Sequence, residues 1–260
     1  MGGMTLEFTL ANTADALHPN SASQLYNVEQ AQMRMATVRL DSALENSFSS
    51  MLLQGKKLPF NIRTLHCQEQ ALPAGNTEVS VSMVRALSRL AGLFVTFIGP
   101  QTYVDANGVT QNTPATLRHL HKSFLNPSAT VTGVPVNAAD EATMSWTLQI
   151  GPKVYPEGAP SSNLAETFSL LRQTIGTYDE SIRTISMHDA NYRNDQFVVG
   201  IPLQTVVSQA FSSVNTRSGD LVVFTAKNLD GHARQAGRAF FHMVAETIVE
   251  LSESGVQIYD

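Results

Sequence analysis

The sequence predicts an all-β protein, a sandwich or barrel carrying two or three short helices. Three observations carry that expectation. Apolar residues recur with period 2 in many short segments, Gly and Asn or Asp pairs punctuate them, and regular strand–helix–strand alternation is absent.

The strands follow in order. "LEFTL" near the start and "QMRMATVRL" before residue 41 read as strands. The stretch "VRLDSALENSFSSMLLQGKKLPFNIRTL" reads as two strand-like ends joined by an amphipathic piece. In "TEVSVSM", Val79, Val81 and Met83 alternate with Glu78, Ser80 and Ser82. "LFVTFI" (93–98) and "FVVGI" (197–201) are dense in β-branched and aromatic residues, as strands buried on both faces are. "TMSWTLQI" places Met144, Trp146, Leu148 and Ile150 on one face and Thr143, Ser145, Thr147 and Gln149 on the other. Residues 220–227, 238–251 and 256–259 complete the series. Asn107-Gly108, Ser218-Gly219-Asp220, Asp230-Gly231 and Ser254-Gly255 supply turns, the first placed to close a hairpin. Residues 126–142, rich in small residues, Pro and Thr, predict a long exposed loop.

Helices are expected at 41–54, 162–175 and, more weakly patterned, 203–211. Asp41 or Ser42 can cap the first, with Glu45 placed for a capping box, Leu44, Phe48, Met51 and Leu52 on one face, and Gly55 at its end. Ser162 or Asn163 can cap the second, whose stripe is Leu164, Phe168, Leu171 and Ile175, ended by Gly176. The third would use Leu203, Val206, Val207 and Ala210.

With 260 residues the chain can bury a substantial core. Charged residues are only 15%, with Ser, Thr, Asn and Gln in their place, which suits sheet surfaces and surfaces covered by other subunits. A net charge of −5 and a pI near 5.8 leave no broad basic field for nucleic-acid phosphates, so no direct nucleic-acid binding is expected. One cysteine, Cys67, excludes an internal disulfide and fits a reducing interior. No apolar run is long enough to span a bilayer, and the first residues lack the pattern of a secretory signal.

Reactive constellations fall short. Gly55-Lys56 is followed by Lys57 where a phosphate loop needs Ser or Thr, and Ser50 stands where its first Gly belongs. His119 and His121 share a spacing used by metal sites, but no acidic residue follows closely to complete one. His242 and Glu246 share a strand face roughly 13 Å apart. His66 and Cys67, as strand neighbours, point to opposite faces and make no dyad. Asp179, Glu180, Asp189 and Asp195 lie in loop-like stretches and nothing singles them out. Lys56, Lys57 and Arg63 read as a solvated strand edge. No catalytic residue, metal ligand or cofactor site is expected.

Several phrases together resemble a family. "VRLDSALENSFSSMLLQGKKLPF", "VSMVRALSRLAGLFVTF", "LQIGPKVYPEGAPSSNLAETFSLLRQTIG", "FVVGIPLQ", "NTRSGDLVVFTAKN" and "IVELSESGVQIYD" occur in the order of the C-terminal portion of double jelly-roll major capsid proteins of eukaryotic DNA viruses and related integrated elements. The resemblance covers roughly residues 30 to 260. It implies an N-terminal strand or extension over 1–30 and a jelly-roll domain over 31–260, two four-stranded sheets face to face. It implies a capsid-type building block located in the virion, with further copies of the chain in trimers or larger arrays, and other capsid proteins, as partners. The segment from residue 38 would be the connection and helix leading into the roll, and residues 256–260 its last edge strand. The chain is too short for two complete rolls, and Ala91-Gly92 stands where the family pattern carries lysine. Two other functions compete: a sandwich binding module for glycan or protein, using loops 99–116 and 126–142 with Tyr103 and His119 as contacts, and a hydrolase using Asp189 or Asp195.

Overall fold

The computed structural model describes residues 7–10, 27–32, 34, 38–73, 75–99, 102–104, 107, 109–112, 124–128, 144–158, 160–176, 187, 189–194, 196–204, 212–217, 220–230 and 236–259. Along the chain run α1 (Ser42–Leu53), β1 (Leu58–Ala71), β2 (Glu78–Ser82), β3 (Leu90–Ile98), β4 (Thr102–Val104), β5 (Thr110–Asn112), β6 (Ser145–Ile150) and β7 (Lys153–Tyr155). Then come α2 (Leu164–Ile175), α3 (Asp189–Asn194), β8 (Val198–Pro202), β9 (Val222–Lys227), β10 (Arg238–Ser252) and β11 (Gly255–Tyr259).

The first sheet has the order β1-β10-β3-β8, and the second β2-β9-β6-β7. Among these eight strands the first pairs with the last, β2 with β9, β3 with β8 and β6 with β7, each antiparallel. Such nesting arises when one long hairpin is rolled so that successive strands alternate between two sheets, and it defines a jelly roll. β4 and β5 form the separate hairpin expected around Asn107, with Tyr103 opposite Gln111. β11 adds to β10 beyond the end of β3: residues 238–245 of β10 pair with β3, and residues 248–252 pair with β11.

Period-2 patterning builds the core between the sheets. Met144, Trp146, Leu148 and Ile150 are buried as expected, as are Val79, Val81 and Met83 from β2. Leu93, Val95, Phe97, Val199, Ile201, Phe241 and Met243 face them from the first sheet. Phe224 of β9 stacks with Trp146 at 6.4 Å and meets Phe241 edge-on at 5.5 Å, so one aromatic run crosses the interior. Each such side chain contributes about 1.5–3 kcal/mol when fully buried. The indole Nε1 of Trp146 donates to Thr167 Oγ1 at 3.2 Å, which satisfies its polar atom and ties α2 to the core.

α1 starts where Asp41 accepts the amide of Ser42 at 2.9 Å. With Asp41 as cap, Glu45 lies one position too far along for the capping box. At the other end, Gly55 adopts φ +72°, its amide reaching Leu52 O and that of Lys56 reaching Met51 O, a Schellman closure. No residue of α1 is fully buried. α2 is capped by Asn163, whose Oδ1 accepts from Ala165 N at 2.8 Å, and ends at Gly176 with φ +80°. It lies on the outer face of β8, where a Cβ on Gly200 would come 2.7 Å from Leu171 Cα. Gly92 on β3 does the same for Thr174, 3.1 Å from Cγ2. The glycine at the Ala91-Gly92 departure is therefore a seat for α2. Tyr192 of α3 packs between Phe168 at 4.8 Å and Phe197 at 5.3 Å and donates to Val198 O. Burial raises its phenol pKa above the usual tyrosine value.

Four expectations change. Of "LEFTL" and "QMRMATVRL", residues 7–10, 32, 34 and 38–40 are exposed and form no strand, since none finds a partner strand among the described residues. Asp189 belongs to α3 rather than to a loop. The exposed loop does not begin at 126, because Asn126 and Ser128 are buried. Asn126 Oδ1 accepts from Ser128 N and Oγ, its Nδ2 donates to Arg193 O, and Ser128 Oγ accepts from Met144 N, so polar partners draw this stretch inside. Residues 203–204 follow β8 without helix, and 205–211 lie outside the described residues.

Candidate assembly surface

The residues considered for chemistry do not converge. Cys67 and His66 lie on opposite faces of β1, as expected, but register brings Cys67 directly opposite His242 of β10. That pairing is invisible without the register. Burial and the nearby Glu69 carboxylate raise the Cys67 thiol above its usual range, while burial lowers the His242 imidazole. Both shifts disfavour a thiolate–imidazolium pair. Glu246 is held by Gln204 Nε2 at 3.0 Å and Ser213 Oγ at 2.6 Å, away from His242. Lys56 is fixed by the α1 closure, so its amide is not available to a phosphate. Among the described residues no group of three His, Cys, Asp or Glu could hold a metal ion. His119, His121, Asp179, Glu180 and Asp195 lie outside the described residues.

Lys57 is more than part of a solvated edge. Its Nζ donates to Glu250 at 2.8 Å, Gln257 at 3.1 Å and the Tyr259 hydroxyl at 3.4 Å. The hydrogen bond to Glu250 raises the lysine pKa and lowers that of the carboxyl. The link between α1 and β1 is thereby pinned to β10 and β11.

What the pin holds is a sheet extension with an uncovered face. Opposite residues of an antiparallel pair share a face. Gln68 lies opposite Phe241 and His66 opposite Met243, both core residues; two-residue steps along the same face reach Ile62 opposite Thr247 and Phe60 opposite Val249. β11 continues that face with Ile258 opposite Val249 and Val256 opposite Leu251. Yet Phe60 is 50% exposed, Ile62 44%, Val256 59% and Ile258 65%, although Leu58 and Thr247 on the same face are buried. The opposite face of the extension carries Asn61, Arg63, Glu250 and Gln257. β1 also has a second edge without a neighbouring strand among the described residues. An apolar patch beside an open edge is a surface that a partner strand or sheet can cover. Sequence patterning cannot find it, since Phe60 and Ile62 alternate just as core residues do.

No family model matches this sequence, and no curated protein matches it. Solved structures do share its fold. A chain of the quasi-atomic model of the PBCV-1 virus capsid superposes with a TM-score of 0.52 at 9% identity, covering 85% of this chain and 55% of that one. PBCV-1 VP54, fitted into a cryo-EM reconstruction of the virophage Sputnik, gives 0.51 at 10% identity over the same shares. The chain thus spans about half the length of these capsid chains. At such identity the likeness is one of fold, and it agrees with the jelly roll that the sequence resemblance implied.

Proposed function

We propose that this chain is a structural subunit of a capsid-type shell, assembling with further copies of itself, in trimers or a larger array, and with other capsid proteins. One observation carries the reading: a jelly roll shared with capsid chains leaves an apolar sheet face around Phe60, Ile62, Val256 and Ile258 in solvent. A face of that kind is stabilised when a neighbour excludes water from it, with polar rims setting register. In this reading residues 1–30 are an extension and residues 31–260 the domain. The protein is a building block of the virion, not a catalyst, and assembles in a reducing interior where Cys67 stays a thiol. Light scattering and electron microscopy of the purified chain test it. Trimers or larger arrays are expected; a monomer at all accessible concentrations overturns it.

The binding-module reading is supported by the buried anchor at Asn126, Ser128 and Met144, which holds both ends of the segment 129–143. Reproducible hits on a glycan array, lost in Asn126→Ala, would favour it.

A further inference from the structure

Two features of this chain are each incomplete and match one another. The first is the open edge of β1, where Phe60 and Ile62 stand exposed on one face and Arg63 on the other. The second is the segment at residues 7–10, Glu-Phe-Thr-Leu, which alternates polar and apolar residues as a strand does. Its Phe8 is 77% exposed and its Leu10 62%, and it pairs with no strand among the described residues. Neither Glu7 nor Arg63 forms an ion pair among the described residues, although Arg63 lies opposite Glu246 of β10, whose carboxylate is held by Gln204 and Ser213.

We propose that residues 7–10 of one copy add as an antiparallel strand to the β1 edge of a second copy, with Glu7 opposite Arg63, Phe8 opposite Ile62 and Leu10 opposite Phe60. This register meets every requirement at once. The odd-numbered residues Glu7 and Arg63 share the polar face as an opposite-charge cross-strand pair. Phe8 and Leu10 share the apolar face with Ile62 and Phe60 and cover part of the exposed patch. The open backbone groups of β1 gain partners, as in strand addition to other sheet edges. Any shift by one residue would turn Phe8 and Leu10 to the polar side and set Glu7 among apolar groups. The thirty or so residues between Leu10 and α1 would span at most about 100 Å if extended, so chain length alone does not confine the segment to its own copy. In the single chain the segment stays in solvent while the edge stays open, which points to a second copy as the acceptor.

The inference rests on the assembly reading only in requiring that copies meet. To test it, two full-length chains are made in a Cys67→Ser background, one with Glu7→Cys and one with Arg63→Cys, each checked for folding by circular dichroism. Opposite positions on paired strands bring Cβ atoms to about 4.5–5.5 Å, within reach of a short bis-thiosulfonate reagent. The mixture should give a cross-linked dimer severalfold above what either chain gives alone. Absence of that excess overturns the proposal, as does a chain carrying both cysteines that cross-links only within itself at every concentration. A charge exchange gives a second measurement: Glu7→Arg or Arg63→Glu weakens association severalfold, and the two together restore it. Oligomers that form without the cross-link would sink the arm and leave the shell reading intact. Cross-linked dimers that never grow further would keep the arm and sink the shell.

Discussion

Lys57 Nζ and a carboxylate oxygen of Glu250 meet at 2.8 Å, although 193 residues separate them in sequence. The contact locks the start of β1 to the far end of β10, and Gln257 and Tyr259 bring β11 into the same cluster.

The cluster has a defined pH window. The Glu250 pKa is lowered in the fold, so its contribution is present above the ordinary value of 4.5 and is lost as pH falls through the lower folded value. The Lys57 pKa is raised, so its contribution is present below the ordinary 10.5 and is lost as pH rises through the higher folded value. Hydrogen exchange at the β11 amides should therefore quicken as pH falls below the ordinary carboxyl value of 4.5, once the intrinsic pH effect is removed using β9 amides as reference. In Glu250→Gln that extra acid-side loss should vanish. Unchanged acid behaviour in this variant would contradict the assignment.

Gly200 sets how closely α2 approaches β8. Its missing Cβ would lie 2.7 Å from Leu171 Cα, a backbone atom that cannot rotate aside. Gly200→Ala should cost about 1–3 kcal/mol by overpacking. At Gly92 the obstacle is the Thr174 methyl at 3.1 Å. Gly92→Ala should cost less, and Thr174→Ser should relieve it, since a serine hydroxyl keeps the bond to Leu170 O. Urea midpoints of the four proteins check the order.

Both glycines illustrate what the sequence can and cannot say. As letters they look like weak points in strands, and only the helix lying across them gives the reason. Met144, Trp146, Leu148 and Ile150 were legible because a period of two leaves no other face for them once two sheets close. The facing of Cys67 and His242 was not legible, because it depends on register between segments far apart in sequence. Phe60 and Ile62 alternate with polar residues just as Val79 and Val81 do, so their exposure cannot be told from the pattern and appears only in the folded chain. The "LEFTL" pattern was legible as strand-like, but a strand needs a partner, and the single chain leaves the described part unpaired.

Cys67 should react slowly with alkylating reagents despite its exposure. Burial and then Glu69 raise its thiol above the ordinary value of 9.0, so little thiolate exists at pH 7 to 8. The alkylation rate should keep climbing beyond pH 9. Glu69→Gln removes the second cause and should speed the reaction at pH 8. Fast labelling at neutral pH in the parent chain would show that the thiol is activated after all.

The last test separates the surface from the fold. Phe60→Asp with Ile62→Asp places charge on side chains already half in solvent, so folding stability should fall by about 1.5–3 kcal/mol in total, less than a single core truncation costs. The same substitutions put unpaired carboxylates where a neighbour would have to desolvate them, which costs far more in an interface than on a free surface. The expected result is an unchanged circular dichroism spectrum with scattering mass reduced to that of a monomer. Phe224→Ala supplies the contrast, since it empties the core beneath Trp146 and Phe241 and should cost about 3–5 kcal/mol in stability. If the double aspartate chain assembles as the parent does, the uncovered face around Phe60 and Ile62 is not what joins the subunits.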